Sequence, residues 1–193
     1  MSATVAQAMA VIRRSDFLPE DQRGFAAQDR PLPIGHGQTN SQPRTVAAML
    51  ALLAVPAGAR VLDVGAGSGW TTALLGCLVG PRGLVVGVEL EEPLAAWGAG
   101  NVARYGMDWV RLHPAAGELG RPADGPYDRI LVSAAAREVP AALVDQLTST
   151  GRMVIPVRTE MYLVRPDDLG GWTWTTHGSF QFVPLRRTGP IDR

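Results

Sequence analysis

Apolar residues recur along this chain in short runs with two alternating periodicities. Runs with the β-branched content of buried strands cover residues 60–65, 84–89, 109–113, 128–135 and 151–157. Helical spacing predicts helices over residues 3–13, 41–55, 70–80, 92–105 and 139–147. Strands that alternate with helices form right-handed crossovers. The pattern therefore predicts an α/β fold with a mostly parallel twisted sheet and helices on both faces.

Two parts of the chain depart from this alternation. The C-terminal runs MYLVRP, GWTWTTHG and FQFVPLRR alternate apolar and polar residues and are separated by turn signals, which predicts a terminal antiparallel strand pair on the sheet. Ahead of the sheet, residues 17–40 are punctuated by prolines and should have little regular structure. Segments of that length inside a compact domain are often functional.

Composition narrows the class of protein. A length of 193 residues fits one domain, and 18 basic residues, all arginine, balance 18 acidic ones, so there is no electrostatic case for nucleic-acid binding. Cys77 is the only cysteine, which favours a reducing compartment. The longest apolar run, 47–55, is far shorter than the roughly 20 residues that cross a bilayer. We expect a cytoplasmic protein that binds neither membrane nor nucleic acid.

A glycine-rich turn follows the first strand of the predicted sheet. VLDVGAGSGW places Gly65, Gly67 and Gly69 between a strand and a helix, where the backbone can turn tightly and approach a ligand. A dinucleotide fingerprint would need its third glycine at Trp70. The spacing instead resembles the first motif of class I S-adenosylmethionine methyltransferases. Glu89 ends the next strand, where a carboxylate can accept two ribose hydroxyls; the alternative is a turn without a ligand and a solvated Glu89.

Further sequence blocks make the resemblance more specific. They are DRPLPIGHGQTNSQP, VLDVGAGSGWTTALL, YDRILVSAAA followed by VPAALVDQL, and GRMVIPV. In this order and spacing the chain resembles protein-L-isoaspartate O-methyltransferases over about residues 17–157, and weakly over FVPL at 182–185. The resemblance implies a Rossmann-like class I methyltransferase that uses S-adenosyl-L-methionine to methylate isoaspartyl residues of proteins or peptides. We expect a monomer, and because His113 and His177 are isolated in the sequence, we expect no metal site.

The resemblance also assigns roles to individual residues. The catalytic residue is Ser41, in a loop that lies across the active site. The substrate-binding residues are His36, Gln38, Thr39 and Asn40. The cofactor-binding residues are Asp63, Gly65, Ala66, Gly67, Gly69, Glu89, Leu90 and Ala116. We expect one domain over 1–193, with the N-terminal helix and substrate loop in 1–58, the cofactor-binding core in 59–157 and the C-terminal strands in 158–193.

Some alternatives remain open at this point. Ser41 could cap the following helix, alone or in addition to a catalytic role. The family's adenine-binding aspartate corresponds to Ala116, and Glu118 two positions later could substitute for it. The loss of that aspartate leaves room for a non-catalytic relative. A different carboxylate, on a peptide natural product or a small molecule, is the other alternative substrate.

Overall fold

A central sheet organises the computed structural model, which describes residues 3–167 and 169–186. The helices are α1 (Val5–Val11), α2 (Pro43–Leu53), α3 (Trp70–Val79), α4 (Glu92–Ala103) and α5 (Ala141–Val144). The strands are β1 (Leu32–Gly35), β2 (Gln38–Asn40), β3 (Arg60–Val64), β4 (Leu84–Glu89), β5 (Val110–Pro114), β6 (Tyr127–Val132), β7 (Leu147–Val157), β8 (Glu160–Pro166) and β9 (Trp172–Ser179). None of the helices in the described ranges is long and apolar enough to span a membrane.

The strand order confirms the predicted fold class. Seven strands form one sheet in the order β5-β4-β3-β6-β7-β8-β9. Neighbours from β5 to β7 pair in parallel, and β8 and β9 add an antiparallel pair at one edge. The chain leaves β3 first towards β4 and later returns to its other side as β6. This switch point is where open α/β sheets bind ligands, at the carboxyl ends of the strands.

Successive strand residues point to opposite faces, and each face has its own core. Val61 of β3 packs in a cluster with apolar residues of α1, α2 and α3. The next residue, Leu62, packs in a second cluster with Leu143 of α5. Helices therefore cover both faces, although α5 is a single turn. The two cores hold β3 rigidly between its neighbours, so the turn that follows it has a fixed base.

Residues 17–40 are more regular than expected. They contain a six-residue 3-10 helix, Glu20–Phe25, and the short hairpin formed by β1 and β2. The buried residues Leu32 and Ile34 of β1 pack with Leu94 of α4. This contact anchors the hairpin beside the sheet, so the loop has a fixed position relative to the switch point.

The helix predicted over 139–147 is also shorter than expected. Only α5 is helical, and β7 begins at Leu147. The buried amide of Gln146 donates to the carbonyl of Leu119 at 2.8 Å and accepts from the backbone N–H of Arg121 at 2.9 Å. These contacts hold the loop ahead of β6 in place of a further helical turn.

The third C-terminal run forms no strand over its described part, residues 180–186. It instead crosses back to the sheet, where Pro184 makes a parallel bridge with Ala135. The N–H of Ala135 donates to the carbonyl of Val183, and the N–H of Leu185 donates to the carbonyl of Ala135, both at 2.8 Å. The C-terminal segment therefore lies beside the end of β6.

Candidate active site

The glycine turn begins directly after β3 and is fastened to β4. The N–H groups of Gly65 and Ala66 both donate to the carbonyl of Val88, at 2.9 and 3.0 Å. Gly65 and Gly67 have φ of 77° and 55°, in the left-handed region that favours glycine. A Cβ on Gly67 would lie 3.2 Å from Cδ1 of Ile34 in the hairpin. The turn is therefore tight because sheet and hairpin both approach it.

Gly69 has φ of 90°, also in the left-handed region, and it has a further reason to be glycine. A Cβ at this position would lie 2.9 Å from the carbonyl oxygen of Gly98, and one on Gly98 would lie 2.7 Å from the carbonyl oxygen of Gly67. The two glycines let α4 approach the turn closely. Gly69 lines neither of the clefts described below. The structure therefore gives Gly69 a helix-packing role.

Glu89 is buried at the end of β4 and is hydrogen-bonded to the glycine turn. Its Oε2 accepts from the N–H of Gly67 at 2.8 Å, and its Oε1 accepts from the N–H of Glu91 at 3.0 Å. A carboxylate oxygen can accept more than one hydrogen bond, so both oxygens keep capacity for a ligand. The alternative of a solvated strand end is wrong, because Glu89 is only 6% exposed.

Asp63 lies beneath the turn, fully buried in β3. Its Oδ2 accepts from the hydroxyls of Thr71 and Thr72, both at 2.7 Å. Its Oδ1 has no hydrogen-bond partner among the described residues. Burial raises the pKa of Asp63 to about 6, the threonine hydroxyls oppose that rise, and the charge of Glu89 adds to it. Asp63 does not line either cleft, so the structure places it under the site.

The larger cleft encloses about 730 Å³ at the switch point and opens to solvent. Its lining comes from separate parts of the chain: Gln38, Thr39, Val64, Gly65, Gly67, Val88, Glu89, Leu90, Ala115, Glu118, Leu119, Gly120, Ser133, Ala134, Val183, Pro184, Leu185 and Arg186. The cleft exists only when hairpin, sheet and C-terminal segment come together.

A smaller cleft of about 310 Å³ adjoins it. Its lining is Ile34, Thr39, Asn40, Ser41, Gly65, Ala66, Gly67, Ser68, Trp70, Thr71 and Ser133. Both clefts share Thr39, Gly65, Gly67 and Ser133, so they meet across the glycine turn. No ionisable acid or base lines the smaller cleft within the described residues, but hydroxyl groups do.

Ser41 is one of the residues that line the smaller cleft. The Oγ of Ser41 makes no hydrogen bond to any described residue. The N-cap of α2 is Gln42, which gives no side-chain cap. Asp29 takes the capping role instead, since its Oδ1 accepts from the N–H of Arg44 at 3.0 Å. The alternative that Ser41 caps α2 is therefore wrong.

The other loop residues divide into two groups. Gln38 and Thr39 line the larger cleft. The amide of Asn40 is already engaged: its Oδ1 accepts from Arg14 at 2.8 Å and its Nδ2 donates to Ser68 Oγ at 3.3 Å.

His36 adopts φ of 53° in the turn of the hairpin. Its Nδ1 lies 4.0 Å from Oε2 of Glu91. The Oε1 of Glu91 also accepts from Arg186, at 2.5 Å. Glu91 thus connects the hairpin and the C-terminal segment at one edge of the larger cleft.

The segment after β5 only partly matches the predicted set of cofactor-binding residues. Ala116 is exposed and lies outside the lining, whereas Ala115 and Glu118 line the larger cleft. Leu90 also lines this cleft, as expected. The assignment missed Ser133, although a polar residue directly after β6, beside β3, occupies the position where such sheets bind ligands.

The site residues fit S-adenosyl-L-methionine. Gly65 and Gly67 line the larger cleft without side chains, and Glu89, which also lines it, offers buried acceptor oxygens for a pair of hydroxyls. Together with the sheet order, these features define an S-adenosylmethionine-dependent methyltransferase of the class I fold.

Comparison with known proteins identifies the family. The family model of protein-L-isoaspartate(D-aspartate) O-methyltransferase (PCMT) matches residues 1–188, and the chain belongs to this family. A protein-L-isoaspartate O-methyltransferase of Methanopyrus kandleri is 44% identical over 95% of this chain and 84% of its own length. One of Aeropyrum pernix is 48% identical over 82% of this chain and 61% of its own length.

Solved structures agree. A protein-L-isoaspartate O-methyltransferase superposes with a TM-score of 0.87 at 28% identity, over 96% of this chain and 62% of that chain. A Plasmodium falciparum structure of the same description, in complex with S-adenosyl-L-homocysteine, superposes with a TM-score of 0.81 at 25% identity, over 95% of this chain and 90% of that chain.

Proposed function

We propose that this enzyme transfers a methyl group from S-adenosyl-L-methionine to the α-carboxylate of L-isoaspartyl residues in damaged proteins and peptides. The observation that carries the proposal is the position of Ser41. Ser41 lines the smaller cleft, and its hydroxyl has no hydrogen-bond partner among the described residues. One wall of that cleft is the glycine turn, which also lines the larger cleft. An acceptor in the smaller cleft would thus lie next to a donor held in the larger one.

The lining of the smaller cleft suits a carboxylate acceptor. A peptide α-carboxyl has an ordinary pKa of about 3.5, so it is ionised at neutral pH and needs no general base. The hydroxyls of Thr39 and Ser41 can donate to its oxygens and orient them. An acid here would repel the nucleophile and a lysine would neutralise it, and the described lining has neither.

The larger cleft suits the methyl donor. When bound, S-adenosyl-L-methionine supplies a methyl group that its sulfonium already activates. Glu89 would accept from the ribose hydroxyls, and Gly65 and Gly67 let the backbone approach the ligand. Leu90 also lines this cleft, as does Glu118, which lies two positions after Ala116, the residue that replaces the family's adenine-binding aspartate.

We also propose a monomeric, cytoplasmic enzyme. Residues of one chain form the walls of both clefts, which supports activity without a partner subunit. The single cysteine, Cys77, supports a reducing compartment.

Methyl transfer to a matched pair of peptides tests the proposal. One peptide carries a single L-isoaspartyl residue, and its twin has a normal aspartyl residue at the same position. We expect radiolabelled methyl groups from S-adenosyl-L-methionine to enter the first peptide as a base-labile ester and to leave the twin unlabelled. Equal labelling of both peptides, or of neither, would refute the proposed substrate.

A further inference from the structure

Arg14 is a buried cation behind the loop that carries Ser41. Its guanidinium donates to five backbone carbonyls and one side-chain amide, all of them neutral. The acceptors and their distances are Asn40 Oδ1 at 2.8 Å, Ala26 O at 3.2 Å, Gln28 O at 2.9 Å, Arg30 O at 2.8 Å, Asn40 O at 3.0 Å and Ser41 O at 2.9 Å. One side chain thus gathers residues 26–30 and 40–41 around itself.

The positions of the acceptors show which part of the backbone Arg14 holds in place. Consecutive carbonyls, those of Asn40 and Ser41, are both turned towards Arg14. In a trans peptide the N–H points away from its carbonyl, so the orientation of the backbone at Ser41 is fixed from one side. The guanidinium also stands 5.5 Å from the ring centroid of Trp70 in α3. Asn40, Ser41 and Trp70 all line the smaller cleft, so Arg14 lies one layer behind it.

A second link runs from the same loop to the glycine turn. Asn40 receives Nε of Arg14 on its Oδ1 and donates through its Nδ2 to Ser68 Oγ at 3.3 Å. Ser68 belongs to the turn between β3 and α3 and lines the smaller cleft. The chain of contacts Arg14–Asn40–Ser68 therefore fixes the distance between the Ser41 loop and the glycine turn.

Burying a guanidinium without a carboxylate partner costs free energy, which the hydrogen bonds of Arg14 must offset. No described carboxylate forms an ion pair with Arg14, and burial together with nearby Arg30 lowers its pKa to about 10, against a smaller opposing effect of Asp29. Arg14 therefore stays charged at neutral pH. Neighbouring Arg13 differs: its side chain is 73% exposed and pairs with Asp16 at 3.2 Å.

We propose that Arg14 is a positioning residue for methyl transfer, which holds Ser41 at a fixed distance from the glycine turn through the backbone of residues 40–41 and through Asn40. The inference rests on the proposed function, because it takes Ser41 as the residue that orients the acceptor. It makes Arg14 part of the catalytic apparatus without contact to substrate or cofactor.

Arg14→Lys tests the proposal, with Arg13→Lys as the matched control. Lysine has three donors where arginine has five in a planar fork, so it cannot keep all six contacts. Because small displacements of an orienting group are costly, kcat with the isoaspartyl peptide should fall about 10-fold or more in Arg14→Lys. The Kd for S-adenosyl-L-homocysteine, measured by calorimetry, should change less than about threefold, because Arg14 makes no hydrogen bond to Glu89, Gly65 or Gly67. Arg13→Lys should match the wild type in both.

A double-mutant cycle with Asn40→Ala separates positioning from general stability. If Arg14 acts through Asn40, the loss of kcat in the double variant should be smaller than the product of the two single losses. Independent, multiplicative losses would overturn the link through the Asn40 side chain. A fall in kcat that merely follows the loss of folded protein, as circular dichroism would show, would overturn the proposal.

The same experiment keeps the two proposals apart. An active wild type together with an unimpaired Arg14→Lys overturns the role of Arg14 and leaves the proposed function intact. A wild type that cannot methylate the isoaspartyl peptide overturns the proposed function. In that case, amide hydrogen exchange of residues 38–42, measured without substrate, tests whether Arg14 holds the Ser41 loop in place. The exchange should be faster in Arg14→Lys and unchanged in Arg13→Lys. Equal exchange in the two variants overturns the role of Arg14.

Discussion

The hydroxyl of Ser41 is free to contact an acceptor because Asp29 has taken over the capping of α2. Ser41→Ala should therefore cost little stability but lower kcat. The loss of one positioned donor costs about 100- to 1000-fold where full charge develops, and here charge is neutralised as the ester forms, so we expect about 10- to 100-fold. The measurement is kcat on an isoaspartyl peptide beside the Kd for S-adenosyl-L-homocysteine, which should not change.

The matched control for that variant is Ser149→Ala, at an exposed position on β7. It should retain full activity and stability. If Ser41→Ala turns over at the wild-type rate, the loop acts through its backbone alone and the catalytic assignment of Ser41 is wrong.

Glu89 accepts hydrogen bonds from the backbone of Gly67 and Glu91 and, in the proposed function, from the ribose of the cofactor. A substitution must separate these two roles. Removal of the whole side chain would leave the partly buried N–H groups of Gly67 and Glu91 without their acceptors, so Glu89→Ala should also destabilise the fold. Glu89→Gln keeps one acceptor oxygen and loses the charge. A charge-assisted hydrogen bond contributes about 1.5–3 kcal/mol, so the Kd for S-adenosyl-L-homocysteine should rise about 10- to 100-fold.

Glu92→Gln is the control for Glu89→Gln, since Glu92 is exposed in the first turn of α4 and lines neither cleft. Its Kd should equal that of the wild type. An unchanged Kd in Glu89→Gln, measured by calorimetry, would mean that the ribose does not bind at the end of β4.

At the scale of elements, Asp63 ties β3 to the first turn of α3 through Thr71 and Thr72. Its pKa of about 6 lies above the value of about 3.9 in an unfolded chain, so the folded state binds the proton more tightly. The stability that the protonated form contributes is fully present below about pH 3.9 and is lost as the pH rises through about 6. At neutral pH the free energy of unfolding is therefore lowered by the full cost of burying the ionised carboxylate.

Asp63→Asn should remove this cost while an acceptor for the threonine hydroxyls remains. The difference in the free energy of unfolding should grow from near zero at about pH 4 to about 2–3 kcal/mol in favour of the variant at pH 7. Urea unfolding across this range measures it, with exposed Asp108→Asn as a control for the substitution itself. A difference of the same size at both ends of the range would contradict the buried-carboxyl account.

The elements that could be predicted are those with a strong periodic signal. Strands β3 and β4 and helix α3 match the prediction closely because each is a continuous buried run ended by glycine or a polar residue. The hairpin of β1 and β2 could not be predicted, because strands of four and three residues are too short to show alternation.

Residues of the site were predictable only where a local motif marks them. Gly65, Gly67 and Glu89 follow strands at recognisable spacing, and Ser41 came from a loop motif. Arg14 carries no such mark, because all its partners lie 12 or more residues away along the chain. Long-range contacts of this kind are a property of the folded chain alone.

At the scale of the whole molecule, the larger cleft has walls from the hairpin, the sheet and the C-terminal segment. Gln38 comes from β2, Glu89 from β4 and Arg186 from the C-terminal segment. The C-terminal wall is fastened by hydrogen bonds to Ala135 and by the ion pair of Arg186 with Glu91. A ligand in this cleft therefore contacts parts of the chain that are far apart in sequence, and its binding free energy should stabilise all of them together.

We expect S-adenosyl-L-homocysteine to raise the temperature of a single unfolding transition. At about 100 times its Kd a ligand adds roughly 2.7 kcal/mol, which for a chain of this size shifts Tm by about 5–10 °C. Amide exchange should slow together at residues 38–39, 65–67, 88–90 and 183–186. The edge strand β9 lines neither cleft and should exchange at its ligand-free rate. Protection confined to 65–67 and 88–90 would show that the hairpin and the C-terminal segment are not walls of the cofactor site.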